Sequence, residues 1–249
     1  MQFNIENYLD SLPEDIESIN VSNKNLHYLP SLKRFKKLQE LNCNNNNLTS
    51  LPPLNKKLAS LWCTNNNLTS LPNLNNKLKS LYCDNNKLTS LPNLNKNLVE
   101  IYCNDNKLTS LPKLNKKLEI LECSNNQLTY LPKLNKNLEY LFCDDNELTS
   151  LPHLTETIYV LVFDNNPICK IIDNPTQIES EIVNEELKIQ IQTFNNFRYL
   201  YYSLKFKSRF REWLWMKVRE PKMMKKYHPS YLIENLHEDT DLDEVLNEW

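Results

Sequence analysis

Residues 41–160 are six consecutive 20-residue units that repeat in phase, with no insertion or deletion. The first three read LNCNNNNLTSLPPLNKKLAS, LWCTNNNLTSLPNLNNKLKS and LYCDNNKLTSLPNLNKNLVE. A 22-residue variant, 19–40, precedes them, and a half unit, 161–172, follows. Leu12, Pro13 and Ile16 read as the tail of an incomplete earlier unit. A unit this short cannot bury its own apolar stripe, so the units must stack and share one core.

Composition sharpens this constraint. The 249 residues include 43 Leu, 38 Asn and no Gly. Turns that need positive φ therefore fall to Asn, which tolerates the left-handed region best after glycine. The formal charge of −2 gives no global pull toward nucleic acid or membrane. The opening MQFNIENYLDSLPEDIES is acidic and lacks the basic and apolar regions of a signal peptide. No apolar run reaches the ~18 residues of a membrane span. The expectation is a chain with no membrane span, in the cytoplasm, with reduced thiols.

One instance of the repeat runs Leu58, Leu61, Cys63, Asn66, Leu68, Leu71, Pro72 and Leu74. The L-x-C step alternates in and out, as a short strand does. Strands of successive units then pair in parallel, ~4.8 Å apart. Asn46, Asn66, Asn86, Asn106, Asn126, Asn146 and Asn166 stack at the bend that follows. Each amide there can satisfy backbone groups left unpaired by the bend. Lys24 holds the equivalent place in the first unit, whose bend is expected to open to solvent. A proline in every unit, Pro52 to Pro152, makes the opposite side extended or polyproline-like.

This pattern resembles the leucine-rich repeat family in its shortest, 20-residue class, and the LP-x-L segment is similar to repeats of secreted bacterial effectors. The resemblance covers about residues 12–172. It implies a solenoid of seven to eight coils, with a parallel sheet on the concave face and an extended convex side. The organisation read here is a cap at 1–18, the solenoid at 19–172 and a small α-helical region at 173–249.

Cys43, Cys63, Cys83, Cys103, Cys123 and Cys143 form a second column. Val21 and Phe163 replace them in the flanking units, so the site wants a hydrophobe, and a buried free thiol serves as one. A ladder of parallel thiols offers a metal no converging His or second Cys, so no metal and no cofactor are expected. Disulfides between rungs are sterically conceivable, and a reducing compartment argues against them.

With Leu61 and Cys63 inward, Trp62 and its column point out of the sheet. That column reads Asn42, Trp62, Tyr82, Tyr102, Glu122, Phe142 and Val162. Asp84 and Asp144 lie in the next column, and Tyr140 and Ile120 lie in the one on the other side. Aromatics also simply favour strands and cross-rung packing. Read functionally, Trp62, Tyr82, Tyr102, Tyr140, Phe142, Asp84 and Asp144 are candidate partner-binding residues, because contiguous outward aromatics mark protein interfaces. A partner with basic residues facing Asp84, Asp105, Asp144 and Asp145 is expected there. Lysines on the far edge, such as Lys56, Lys77 and Lys116, read as a solvated face.

Catalysis is not expected. Some effectors with similar repeats carry a C-terminal ubiquitin-ligase domain with a catalytic Cys, but no Cys follows Cys169 here. His27, His153, His228 and His237 show no metal spacing. Without Gly there is no glycine loop to cradle phosphate.

Past Asn174-Pro175 the composition shifts toward Ile, Glu and aromatics. Periodicity predicts a helix over 176–194 with Ile178, Ile182 and Leu187 on one side. A second helix is predicted from Asn195-Asn196 to before Pro221, turning Phe197, Leu200, Tyr201, Leu204 and Trp213 or Leu214 inward. Ser230–Leu236 and Asp241–Trp249 read as short helices. Residues 188–228 carry a net charge of +9 and 229–249 carry −7. Either the acidic tail pairs with the basic helix, or the basic aromatic stretch contacts nucleic acid or an anionic surface. The stretch from Trp213 to Trp249 resembles the tails of repeat proteins of giant amoeba-infecting DNA viruses, which implies a viral protein acting on host factors in host cytoplasm.

Overall fold

The computed structural model describes residues 3–172, 183, 185–214 and 216. Eight three-residue strands form one parallel sheet in sequence order: β1 (Ser18–Asn20), β2 (Glu40–Asn42), β3 (Ser60–Trp62), β4 (Ser80–Tyr82), β5 (Glu100–Tyr102), β6 (Ile120–Glu122), β7 (Tyr140–Phe142) and β8 (Val160–Val162). Register is strict, so Leu61 pairs with Leu81 and Trp62 with Tyr82. The equal unit length makes this so, because a one-residue slip would turn every leucine outward. Backbone pairing runs past the strands, with Cys63 N–H donating to Tyr82 O at 2.8 Å and Asn65 N–H to Asp84 O at 3.0 Å.

The core is a stack of identical layers. Leu58, Leu61, Cys63 and Leu68 are buried in their coil, and their counterparts are buried in the next. Between residues 41 and 160 the side opposite the sheet contains no helix. The proline in each unit holds φ near the extended value and removes a donor, and a chain without helix still needs its backbone groups paired.

Two asparagine columns supply much of that pairing. In the bend column, the Asn86 amide nitrogen lies 3.0 Å from Cys63 O, 3.2 Å from Cys83 O and 3.1 Å from Asp84 O. Its Oδ1 accepts from Leu68 N–H at 2.9 Å. Each asparagine thus serves its own bend and the bend before it. The first bend is exposed at Asn23, Lys24 and Asn25, as expected, yet its backbone is capped: Asn46 Oδ1 accepts from the N–H groups of Lys24 and Leu26, at 3.1 and 2.9 Å. Lys24 can hold that place because the next coil does the capping.

The second column, Asn55, Asn75, Asn95, Asn115 and Asn135, was missed in the sequence. Asn75 Nδ2 donates to Leu58 O at 3.0 Å, and Asn75 Oδ1 accepts from Lys77 N–H at 2.6 Å. Its signal was the recurrent L-N-x-x-L step. In the last full unit Thr157 Oγ1 takes over, donating to Leu138 O at 3.0 Å.

The nine non-glycine residues with positive φ among the described residues are Asn23, Asn25, Asn45, Asn65, Asn85, Asp105, Asn125, Asp145 and Asn165, at 49–57°. The chain without glycine makes its left-handed turns with Asn and Asp, whose short polar side chains carry the smallest penalty there.

The solenoid starts at helix α1 (Ile5–Ser11), which Asn4 caps by accepting Asn7 N–H at 2.9 Å. Ile5 and Leu9 are buried against the first coil, and Arg34 pairs with Asp10 at 3.3 Å. At the other end, Val183 N–H donates to Tyr159 O at 3.0 Å, repeating the step that Tyr159 makes to Glu139 O at 2.9 Å.

Helix α2 (Glu185–Leu214) then buries Leu187 and Ile191. It is one continuous helix, which corrects the break expected at Asn195-Asn196. The Asn195 side chain donates to Leu151 O at 3.0 Å instead of competing for its own backbone. The chain divides into two compact units, Met1–Asn195 and Asn196–Trp249, and α2 runs from one into the other.

The inward burial expected for Phe197, Leu200, Tyr201 and Leu204 is also corrected, since all four are more than half exposed. Spaced i, i+3, i+4 and i+7, Phe197, Leu200, Tyr201 and Leu204 share one stripe of the helix, and Tyr199, Tyr202 and Phe206 share the opposite one. Ile178, Ile182 and the short helices expected at 230–236 and 241–249 lie outside the described residues. No helix among the described residues is long and apolar enough to cross a membrane.

Candidate interaction surface on the sheet

The sheet brings its outward columns into contact. Trp62 and Tyr82 stack with ring centroids 5.7 Å apart and planes 10° apart. Tyr82 and Tyr102 stack at 4.7 Å and 13°. Strand pairing places the three Cα atoms one rung apart, which matches the spacing of stacked rings. The rings are half-buried.

Carboxylates flank the stack. Tyr82 OH donates to Glu100 Oε1 at 2.9 Å. Asn104 Nδ2 donates to Glu122 Oε2 at 2.8 Å. Burial pushes the Asp84 and Glu122 carboxyls above their ordinary range, with hydrogen bonds opposing the shift in both. Burial, reinforced by the bond to Glu100, likewise raises the Tyr82 hydroxyl.

The seven candidate residues divide. Trp62, Tyr82 and Tyr102 form one contiguous stack. Tyr140 sits edge-on to Tyr159, at 6.3 Å and 73°. Tyr159 was missed in the sequence, where it falls at the non-strand position of its unit. Phe142 is half-buried in the Trp62 column, two rungs past Tyr102.

Asp84 is partly committed to the fold, since its Oδ1 accepts Asn104 N–H at 2.9 Å. Asp144 accepts a hydrogen bond from Ser124 Oγ. Asp105 and Asp145 stand exposed on the left-handed turns, and they accept from Asn125 and Asn165.

The six column cysteines are buried and free, and Cys169 is half-buried and free. Cys63 Sγ donates to Tyr82 O at 3.3 Å, and Cys43, Cys103 and Cys123 make the same contact one rung on. Burial pushes the Cys43 thiol up to about 12 and raises the other five thiols of the column well above their ordinary range. Thiols held protonated in this way are neither nucleophiles nor ligands. No group of three or more His, Cys, Asp or Glu side chains among the described residues is arranged to hold a metal.

No protein-family profile and no curated sequence matches this chain. Solved structures do. The leucine-rich repeat domain of a Shigella effector is 30% identical, with a TM-score of 0.56, over 71% of this chain and 81% of that one. The chain belongs to the leucine-rich repeat family. YopM, a leucine-rich effector protein from Yersinia pestis, is 36% identical over 60% of this chain, with a TM-score of 0.58. YopM from Yersinia enterocolitica is 33% identical over 65% of this chain, with a TM-score of 0.57. This leucine-rich repeat chain spans 43% and 40% of those two proteins.

Proposed function

We propose that the chain is a non-enzymatic protein-interaction scaffold that docks a protein partner on the sheet face around Trp62, Tyr82 and Tyr102. The observation that carries this reading is the three-ring stack in an outward column, since large aromatic groups at the centre of a polar face are the usual interface anchors. The effector proteins among its structural relatives support the same class of function. The finer reading, a viral protein acting on host factors in the cytoplasm, rests on the tail resemblance alone.

The test is the triple variant Trp62→Ala, Tyr82→Ala, Tyr102→Ala, compared with the full chain for partners captured from host lysate. Binding is expected to fall at least 100-fold, about 2.7 kcal/mol, with the far-UV spectrum unchanged. Unchanged binding by a folded variant rules this surface out.

A second reading has its own observation. In α2, Phe197, Tyr199, Tyr201, Tyr202 and Phe206 are all more than half exposed beside Arg198 and Lys205. Arg198 lies over the Tyr202 ring at 5.8 Å and Lys205 over Tyr201 at 5.6 Å. Exposed rings with cations suit single-stranded nucleic acid, by base stacking and phosphate contact. Under this reading, labelled poly(U) binds the full chain in 50 mM salt, and its log affinity falls linearly with log salt. No retention at 50 mM salt ends the nucleic-acid reading.

A further inference from the structure

We infer that the occupant of the sheet face is an extended segment carrying two arginines, each stacked on one end of the aromatic column. This rests on the reading of that face as the docking surface.

The charge of the face selects the sign of the partner. Along the outward strand columns stand Glu40, Asp84, Glu100, Glu122, Asp144 and Asp164, and no Lys or Arg shares those columns. The stack then selects the position. Both faces of Tyr82 are covered, by Trp62 and by Tyr102. The two outer faces of the stack are those of Trp62, toward Asn42, and of Tyr102, toward Glu122.

Asn42 Oδ1 is turned forward along its own chain, accepting Asn44 N–H at 3.1 Å. At the other end, Asn104 holds the Glu122 carboxylate in place. Each outer ring therefore has a π face with a carboxylate close in register: Glu40 near Trp62, and Glu100 and Glu122 near Tyr102.

A π face beside a carboxylate suits a planar, weakly hydrated cation that can stack and donate in one plane. That describes guanidinium better than ammonium. The stack measures roughly 10 Å from the Trp62 centroid to the Tyr102 centroid. With one guanidinium layered on each end at about 3.5–4 Å, the two cations stand about 17–18 Å apart. An extended chain at about 3.3 Å per residue covers that distance in about five residues, and arginine side chains absorb the remainder.

The experiment uses the full chain and fluorescein-labelled 12-residue Ser/Thr/Ala peptides, read by anisotropy in low salt. One peptide carries two arginines five residues apart. The controls replace both with lysine, replace both with citrulline, or keep only one arginine. The two-arginine peptide is expected to bind at least tenfold tighter than each control and to weaken with salt. Trp62→Ala and Glu122→Gln are each expected to cost at least fivefold. Equal binding of the citrulline peptide, or indifference to both Trp62→Ala and Glu122→Gln, would overturn the inference.

A random-peptide selection on the same chain separates the two levels. Binders that the triple variant loses but that lack basic residues would sink the arginine inference and leave the surface standing. Selection that yields no binder sensitive to the triple variant sinks both.

Discussion

Above about pH 8.5 the solenoid is expected to lose stability at about 8 kcal/mol per pH unit. The six thiols from Cys43 to Cys143 are held protonated in the folded chain by burial. In the unfolded chain they ionise near pH 8.5. Below that pH both states hold the protons, and the thiols add no pH dependence. Above it the unfolded state has released protons that the native state still holds, so each thiol shifts the equilibrium toward unfolding by about 1.4 kcal/mol per unit. The loss continues until the folded thiols themselves ionise, which for Cys43 is at about 12. A domain stable by about 5–15 kcal/mol is exhausted within one to two units of such a slope.

Urea unfolding between pH 8 and 10.5 under reducing conditions measures this slope. Each Cys→Val replacement in the column should remove about 1.4 kcal/mol per unit. A slope below a third of the expected value would mean that the thiols reach solvent in the folded protein.

Asn86→Ala is expected to cost about 2–4 kcal/mol. The side chain engages three carbonyls and one N–H, drawn from two coils. Its two amide hydrogens must be shared among the three carbonyls. Truncation leaves the buried Leu68 N–H without its partner, at about 1–3 kcal/mol, and takes one of two donors from each carbonyl, since Cys63 O keeps the Asn66 amide, Cys83 O the Asn106 amide and Asp84 O the Asn65 N–H. Asn86→Asp should be no better: it keeps the acceptor, loses both donors and points a charge at three carbonyl oxygens.

Asn85→Ala, one residue away at φ 49° and exposed, is the control. It should cost only the ~1–2 kcal/mol of placing a Cβ in the left-handed region, plus one amide contact. Equal losses at Asn85 and Asn86 would show that the bend asparagine acts through backbone conformation and not through its hydrogen bonds.

The solenoid was legible because a repeat tests itself. Leu61 inward could be misread in one unit but not in six units that agree. The same regularity hid the second asparagine column. Asn75 looks like one more polar residue in a polar L-N-x-x-L step until the fold shows Leu58 O lying beside its amide. The capping of the first bend is hidden for a related reason. Sequence shows which residue occupies a bend, but Asn46 caps Lys24 across 22 positions.

Beyond Asn196, helix α2 carries apolar residues on two opposite stripes, so its course is not marked by one buried face. A break at Asn195-Asn196 then looked natural, until Asn195 found Leu151 O.

At the candidate surface the columns were readable from unit length alone. The contacts within them were not. Nothing in the spacing distinguishes Asp84, which accepts Asn104 N–H, from a carboxylate wholly available to a partner. Nor does spacing show that Tyr82 is stacked on both sides while Trp62 and Tyr102 end the stack.

The 20-residue period by itself determined the class of fold, the strand register and the identity of the inward columns. Stacked equal units admit one arrangement that buries every leucine. Only the tertiary structure decided which polar groups belong to the fold and which remain for a partner, because a hydrogen bond or a ring stack between coils joins residues whose distance in the chain says nothing about their distance in space.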